Sequence, residues 1–185
     1  VILCDLMMPT MSGVDLYTRI ARFAPHVARR MMFLTAGADG QVRFWSSATG
    51  EPSGTSLTAG VRAAVFSPDG KSVATAGFDS TARVWSVATR QQIGEPLVHS
   101  KIVEDVAFSP DGSRIATTGG GDKTARVWDA AKGGELVTLK GHSAAIWSVT
   151  FSPDSQRVVT GSWDQTAKVW EVINGEGLLP LPEVH

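Results

Sequence analysis

Histidine, threonine and aspartate residues recur through the second half of the chain at nearly constant spacing. His142, Thr160 and Asp164 form one such set, and a similar set begins at His99. These residue types could supply the base, nucleophile and orienting acid of a hydrolytic triad. A catalytic triad, however, would not be repeated along a chain, whereas a polar network that satisfies its own groups can belong to the fold. We therefore predict a structural role for these residues and no catalytic site.

Four tryptophans mark a period of about 42 residues. They are Trp45, Trp85, Trp128 and Trp170, separated by 40, 43 and 42 residues. An aspartate stands six residues before each of them: Asp39, Asp79, Asp122 and Asp164. "FSPDG" occurs twice and "FSPDS" once at a matching interval. A period of this length indicates an array of repeated structural units.

Each period contains short segments that predict β-strands. Stretches such as "IWSVTF" and "TAKVWEV" are rich in β-branched and aromatic residues and end at turn residues. Ser-Pro-Asp-Gly favours a type I turn, because proline presets φ at its second position. Four strands per period, with small residues between them, predict thin sheets stacked face to face.

These markers resemble those of the WD-repeat family, whose four-stranded blades pack around a central channel. The resemblance implies a buried tetrad of histidine, threonine, aspartate and tryptophan in each blade. In the last blade the tetrad is His142, Thr160, Asp164 and Trp170. In the preceding blade it is His99, Thr118, Asp122 and Trp128, with Thr117 as an alternative because of an extra glycine in "TTGGGD". Earlier blades retain only Thr75, Asp79 and Trp85, with Leu57 at the histidine offset, and Thr35, Asp39 and Trp45.

The first 38 residues do not carry the repeat. "VILCDLMMPTMSGVDLYTRI" predicts a strand ending at Asp5, a loop and an amphipathic helix, and "RRMMFLTAGA" predicts a second strand. The segment resembles the middle of a response-regulator receiver domain. That resemblance implies Asp5 as phosphoacceptor, the Met7 carbonyl as a ligand of Mg²⁺ and Thr35 as the switch hydroxyl. Receivers also need an acidic pair for Mg²⁺ and a further lysine, which are absent in that context, so we expect an inert packing element.

These patterns predict a mainly β fold, a partial WD-repeat propeller with three full blades and one incomplete blade after a β-α-β receiver fragment. The fragment covers residues 1–38 and the propeller residues 31–185. The expected blades are residues 31–59 (incomplete), 60–98, 99–141 and 142–185. His185 stands 43 residues after His142, where a further blade would begin, so we expect that the chain cannot close a ring alone. The alternatives are a homodimer that closes one ring and aggregation through the uncovered ends.

Composition and charge restrict the partners. The net charge is −1, which gives no general attraction to nucleic acid or to an anionic membrane. Cys4 is the single cysteine, so a reducing cytoplasm is expected. The sequence has no metal-ligand cluster, and no cofactor is expected apart from Mg²⁺ in a working receiver.

The predicted function is a non-enzymatic scaffold for protein or peptide partners; the alternative is a phosphorelay protein phosphorylated at Asp5. Offsets from the repeat markers predict a partner-binding face at Arg62, Phe78, Glu104, Trp147 and Trp163. Exposed aromatic and arginine side chains are frequent anchors of interfaces. Packing of the two tryptophans against a neighbouring blade is an equal alternative.

Overall fold

A computed structural model describes residues 2–5, 31–36, 41–46, 51–52, 54, 57–58, 60–173 and 177. These residues form fifteen strands in four sheets. The first sheet contains β1 (Ile2–Asp5), β2 (Met31–Ala36), β3 (Gln41–Ser46) and β4 (Leu57–Thr58). The second contains β5 (Val61–Phe66), β6 (Ser72–Gly77), β7 (Thr81–Ser86) and β8 (Gln92–Val98). The third contains β9 (Val103–Phe108), β10 (Arg114–Gly119), β11 (Thr124–Asp129) and β12 (Glu135–Lys140), and the fourth β13 (Ile146–Phe151), β14 (Arg157–Ser162) and β15 (Ala167–Glu171). The prediction of a mainly β fold is confirmed.

The second to fourth sheets are antiparallel, with strands paired in chain order. Their first two strands are joined by the Ser-Pro-Asp turns. In one such turn the Ser67 hydroxyl donates to Asp69 Oδ1 at 2.7 Å and accepts the Ser72 N–H at 2.9 Å. Gly70 takes a φ of 71°, where a side chain would be strained, and donates to the Ser67 carbonyl. The turn therefore forms from its own residues.

The core lies between the sheets. One cluster, which includes Phe44 and Val73, packs the first sheet on the second. Another, around Ile115 and Trp128, joins the second to the third, and a third around Trp170 joins the third to the fourth. Each sheet thus buries its faces against its neighbours, which is the stacking that the small residues predict.

The first sheet differs from the other three. β1 pairs with β2 in parallel, with Ile2 opposite Met31 and Asp5 opposite Leu34. β1 thereby occupies the place that an antiparallel first strand takes elsewhere, although we expected this blade to lack such a strand. The first sheet therefore combines β1, predicted for the receiver fragment, with strands predicted for the first blade. This is possible because the free edge of β2 can pair with a strand in either direction. The expected helix between β1 and β2, and His185, lie outside the described residues.

Candidate functional site

The complete polar network of the fourth sheet links four side chains. Asp164 Oδ2 lies 2.7 Å from Nδ1 of His142, whose Nε2 lies 2.8 Å from Thr160 Oγ1. The Trp170 indole N–H donates to the same hydroxyl oxygen at 2.8 Å. β14 carries the threonine, the following turn the aspartate and β15 the tryptophan, so hairpin pairing brings them together.

These bonds determine the histidine tautomer. Asp164 can only accept, so Nδ1 of His142 carries the proton, and the Thr160 hydroxyl donates to Nε2. Burial by itself would raise the pKa of Asp164, but hydrogen bonds from Thr166 and His142 outweigh it and hold that pKa far below its usual range. Both Thr160 and the histidine side chain are shielded from solvent. A substrate cannot reach this hydroxyl, so the network has a structural role.

The third sheet repeats the network with one correction. His99 Nε2 lies 2.7 Å from Oγ1 of Thr117, which also accepts the Trp128 indole N–H at 2.8 Å. Thr117 therefore occupies the position for which we predicted Thr118. An extra residue between β10 and the turn at Asp122 shifts the count by one, and strand alternation turns Thr118 to the opposite face.

In the second sheet, which has no tetrad histidine, an arginine pairs with the turn aspartate. Trp85 still donates to Thr75 Oγ1 at 2.9 Å, but Asp79 pairs with Arg83, Nη1 to Oδ2, at 2.7 Å. The equivalent cations in the other sheets have other partners: Arg126 pairs with Glu135 and donates to the Val98 carbonyl, and Lys168 donates to the Gly141 carbonyl. Sequence reasoning missed Arg83. The signal was the absent histidine, which leaves Asp79 without the partner that binds Oδ2 of the aspartate in the other sheets.

The structure describes only some of the residues predicted for the first blade. Trp45 lies in β3, and the backbones of Asp5 and Thr35 lie in β1 and β2. Asp39 and the Met7 carbonyl lie outside the described residues. The structure describes the backbone of Asp5 and Thr35 but not their side chains.

The five residues of the predicted partner-binding face meet at one surface. The Arg62 guanidinium lies over the rings of Phe78, 5.9 Å to the centroid, and Trp147, 4.7 Å. Trp147 stacks on Trp163 with a centroid distance of 5.1 Å and an interplanar angle of 13°. We call these four side chains the arginine–aromatic ladder. It spans the second to the fourth sheet, and Phe78 and Trp163 are 53% and 70% exposed.

Glu104 supports the ladder from the intervening third sheet. Its carboxylate forms a salt bridge with the Arg62 guanidinium, and its side chain is nearly buried. Gly120 makes room for it, since a Cβ there would lie 2.5 Å from Glu104 Oε1. The Gly120 N–H donates to the carbonyl of Ile102, the residue before β9. The N–H groups of Phe78 and Trp163 donate in the same way to Gly60 and Ala145, the residues before β5 and β13. Gly120 is therefore the structural equivalent of those aromatic residues, although Gly121 is the residue directly before Asp122.

The part of the chain that the structure describes contains no group of three or more histidine, cysteine, aspartate or glutamate side chains placed to hold a metal. Across the same residues no helix is long and apolar enough to cross a membrane.

Comparison with known proteins agrees with this architecture. The family model described as "WD domain, G-beta repeat" matches residues 50–86, 91–129 and 133–171, together more than half of the chain. No curated protein matches the sequence.

Proposed function

The chain belongs to the WD-repeat family, and from this premise we propose that it is a non-enzymatic scaffold that binds proteins or peptides at the arginine–aromatic ladder. WD repeats generally mediate protein–protein interactions, and the expectation of such repeats is confirmed for residues 50–171. What this chain binds, and where, is the proposal.

One observation carries the choice of site: large aromatic side chains are exposed side by side where three sheets meet. Phe78, Trp147 and Trp163 are 53%, 36% and 70% exposed. Tryptophan and arginine are enriched among residues that dominate binding energy, and contiguous exposed apolar surface marks interaction sites. The ladder is also held in place by stacking and by Glu104, so a partner would lose little free energy in ordering it.

A peptide-display selection tests the proposal. We expect a random peptide library selected on the 185-residue chain to yield ligands that bind at least about tenfold more weakly to Trp163→Ala and Phe78→Ala. Ile173→Ala is the matched control, because Ile173 is 81% exposed and is not part of the ladder. Circular dichroism of each variant verifies that it is folded.

Two results would oppose the proposal. One is a selection without any saturable ligand, and the other is a set of ligands that bind both ladder variants as tightly as the original chain. Equal losses in Ile173→Ala would place the binding surface elsewhere.

A second candidate function, phosphorelay signalling through Asp5, is favoured by the parallel pairing of β1 with β2. This pairing puts Asp5 and Thr35 at the carboxyl ends of adjacent parallel strands, the edge at which open α/β sheets bind ligands. Incubation with Mg²⁺ and acetyl phosphate, followed by intact mass measurement, separates the two functions. If the chain is only a scaffold, its mass should show no added phosphate. Acid-labile phosphate on the chain that is absent from Asp5→Asn would favour the phosphorelay.

Two further features of the proposal rest on composition. The net charge of −1 supports protein partners over nucleic acid. A cytoplasmic location is supported by Cys4, because a single cysteine cannot form a disulfide within these 185 residues.

A further inference from the structure

We propose that the arginine–aromatic ladder binds a proline-rich segment in the polyproline II conformation, with proline rings packed on Phe78 and Trp163. This inference rests on the proposed function, because it specifies the partner of the same site.

The charge of the ladder is already balanced. The Arg62 guanidinium is paired with Glu104, whose side chain is only 11% exposed, and it also lies over two aromatic rings. A phosphate or an acidic peptide would have to displace a nearly buried carboxylate to use this cation, which leaves that carboxylate unpaired. The ladder therefore favours a partner without charge.

The inner aromatic faces of the ladder are already occupied. Arg62 lies over Trp147, and Trp163 stacks on the same indole. The neighbouring Glu104 carboxylate is paired with Arg62 and cannot also pair with an incoming lysine or arginine. The most exposed rings are those of Phe78 and Trp163 at the two ends, and their surfaces fit flat, neutral, apolar groups. A proline ring is such a group, and polyproline II segments dock on aromatic surfaces in several unrelated domains.

Two indole N–H groups at the ladder are available as donors. Among the described residues, Trp85, Trp128 and Trp170 donate to buried threonine hydroxyls, whereas no hydrogen bond within those residues involves the indoles of Trp147 and Trp163. A polyproline II helix has no internal hydrogen bonds, so its carbonyls need donors from a partner. It rises about 3.1 Å per residue, so the successive contacts of 5.9, 4.7 and 5.1 Å limit the segment between the Phe78 and Trp163 rings to at most about five residues.

The experiment uses the indole N–H signals in ¹⁵N–¹H NMR spectra of the 185-residue chain, titrated with capped decaproline. We expect the signals of Trp147 and Trp163 to shift and saturate with a Kd below about 1 mM. Those of Trp128 and Trp170 should not shift, because they are buried and bonded to threonine. Trp163→Ala and Phe78→Ala should weaken binding by at least about tenfold, and Ile173→Ala should not.

Matched peptides show which chemistry is recognised. A glycine–serine peptide and a glutamate-rich peptide of the same length should each bind at least about tenfold more weakly than decaproline. Decaproline that leaves both ladder indoles unshifted, or that binds Trp163→Ala and Phe78→Ala unchanged, would overturn the proposal, as would preference for the acidic peptide. If library selection still yields ladder-dependent ligands without proline, the scaffold function stands and only the polyproline partner is wrong.

Discussion

Thr117 and Thr118 are adjacent and fully buried, yet they have opposite roles. Thr117 accepts the Trp128 indole N–H and bonds to His99, whereas Thr118 Oγ1 has no hydrogen-bond partner among the described residues. A buried hydroxyl without a partner costs free energy, whereas one inside a satisfied network stabilises the fold. Residue type alone does not distinguish them, but strand alternation does.

Valine substitutions at these two positions should therefore differ. Thr117→Val leaves the Trp128 N–H and His99 Nε2 unpaired in the core and should lower the free energy of unfolding by about 2–4 kcal/mol. Thr118→Val has nearly the same shape and removes a hydroxyl that bonds to nothing, so a change within about 0.5 kcal/mol, or a gain, is expected. Urea denaturation measures both, and equal losses would contradict the assigned roles.

At the scale of a single turn, Ser155 stands where the two earlier turns have glycine. Its φ is 61°, in the left-handed region, as at Gly70 and Gly112. The Ser155 hydroxyl accepts the Asp111 N–H at 3.2 Å, and its carbonyl accepts a hydrogen bond from Arg114 at 3.1 Å. These two hydrogen bonds connect the turn of the fourth sheet to the third sheet. The backbone strain of a serine in the left-handed region opposes their stabilising effect.

The pair Ser155→Ala and Ser155→Gly separates these two effects. Alanine loses the bond and keeps the strained φ, so a loss of about 0.5–1.5 kcal/mol is expected. Glycine loses the same bond but relieves about 1 kcal/mol of strain, so its stability should stay close to that of the original chain. Chemical denaturation would contradict this account if glycine proved the more destabilising of the two.

The stability of the whole molecule should depend on acid pH. Burial by itself would raise the pKa of Asp122, but hydrogen bonds from His99 and Thr124 outweigh it and lower that pKa far below its usual range. Hydrogen bonds from Ser109 and Ser113 lower the pKa of Asp111 to about 2. Because the unfolded value is about 3.9, the stabilisation is complete above that pH and is lost as pH falls toward the folded values.

Urea midpoints from pH 6 to pH 2 measure this effect. We expect a plateau above about pH 5 and a steep fall below about pH 4, with a shallower fall in Asp111→Asn. A profile that is flat to pH 2, or unchanged in the variant, would be inconsistent with the lowered pKa values.

Stability should also be unevenly distributed along the array. In β10, residues Ile115, Ala116, Thr117 and Thr118 are fully buried, and the third sheet is packed on both faces and carries a complete network. β6 is also buried, but its threonine network lacks a histidine. In stacked repeats stability is the sum of each unit and its interfaces, so β10 amides should exchange with deuterium more slowly than β6 amides. Equal protection would show that the histidine adds nothing to the stability of its sheet.

The sequence by itself determined the strands, the turns and the repeat. These follow from short-range rules: alternating apolar residues, Ser-Pro-Asp turns that bond within themselves, and tryptophans at one period. The same period predicted all four members of the tetrad in the fourth sheet, because the spacing of residues in a hairpin determines which of them lie opposite each other. Offsets from the same markers also assigned Arg62, Phe78, Glu104, Trp147 and Trp163 to one face, without predicting their contacts.

Only the tertiary structure decided the contacts that join different sheets. That Arg62 reaches Trp147, 85 positions later, depends on how three sheets stack and on the missing side chain at Gly120. The entry of β1 into the first sheet likewise depends on β2, a parallel partner that is distant in sequence. The physical reason is that local hydrogen bonding shapes strands and turns, whereas side-chain pairing across sheets is selected by the space and the unpaired groups that packing leaves.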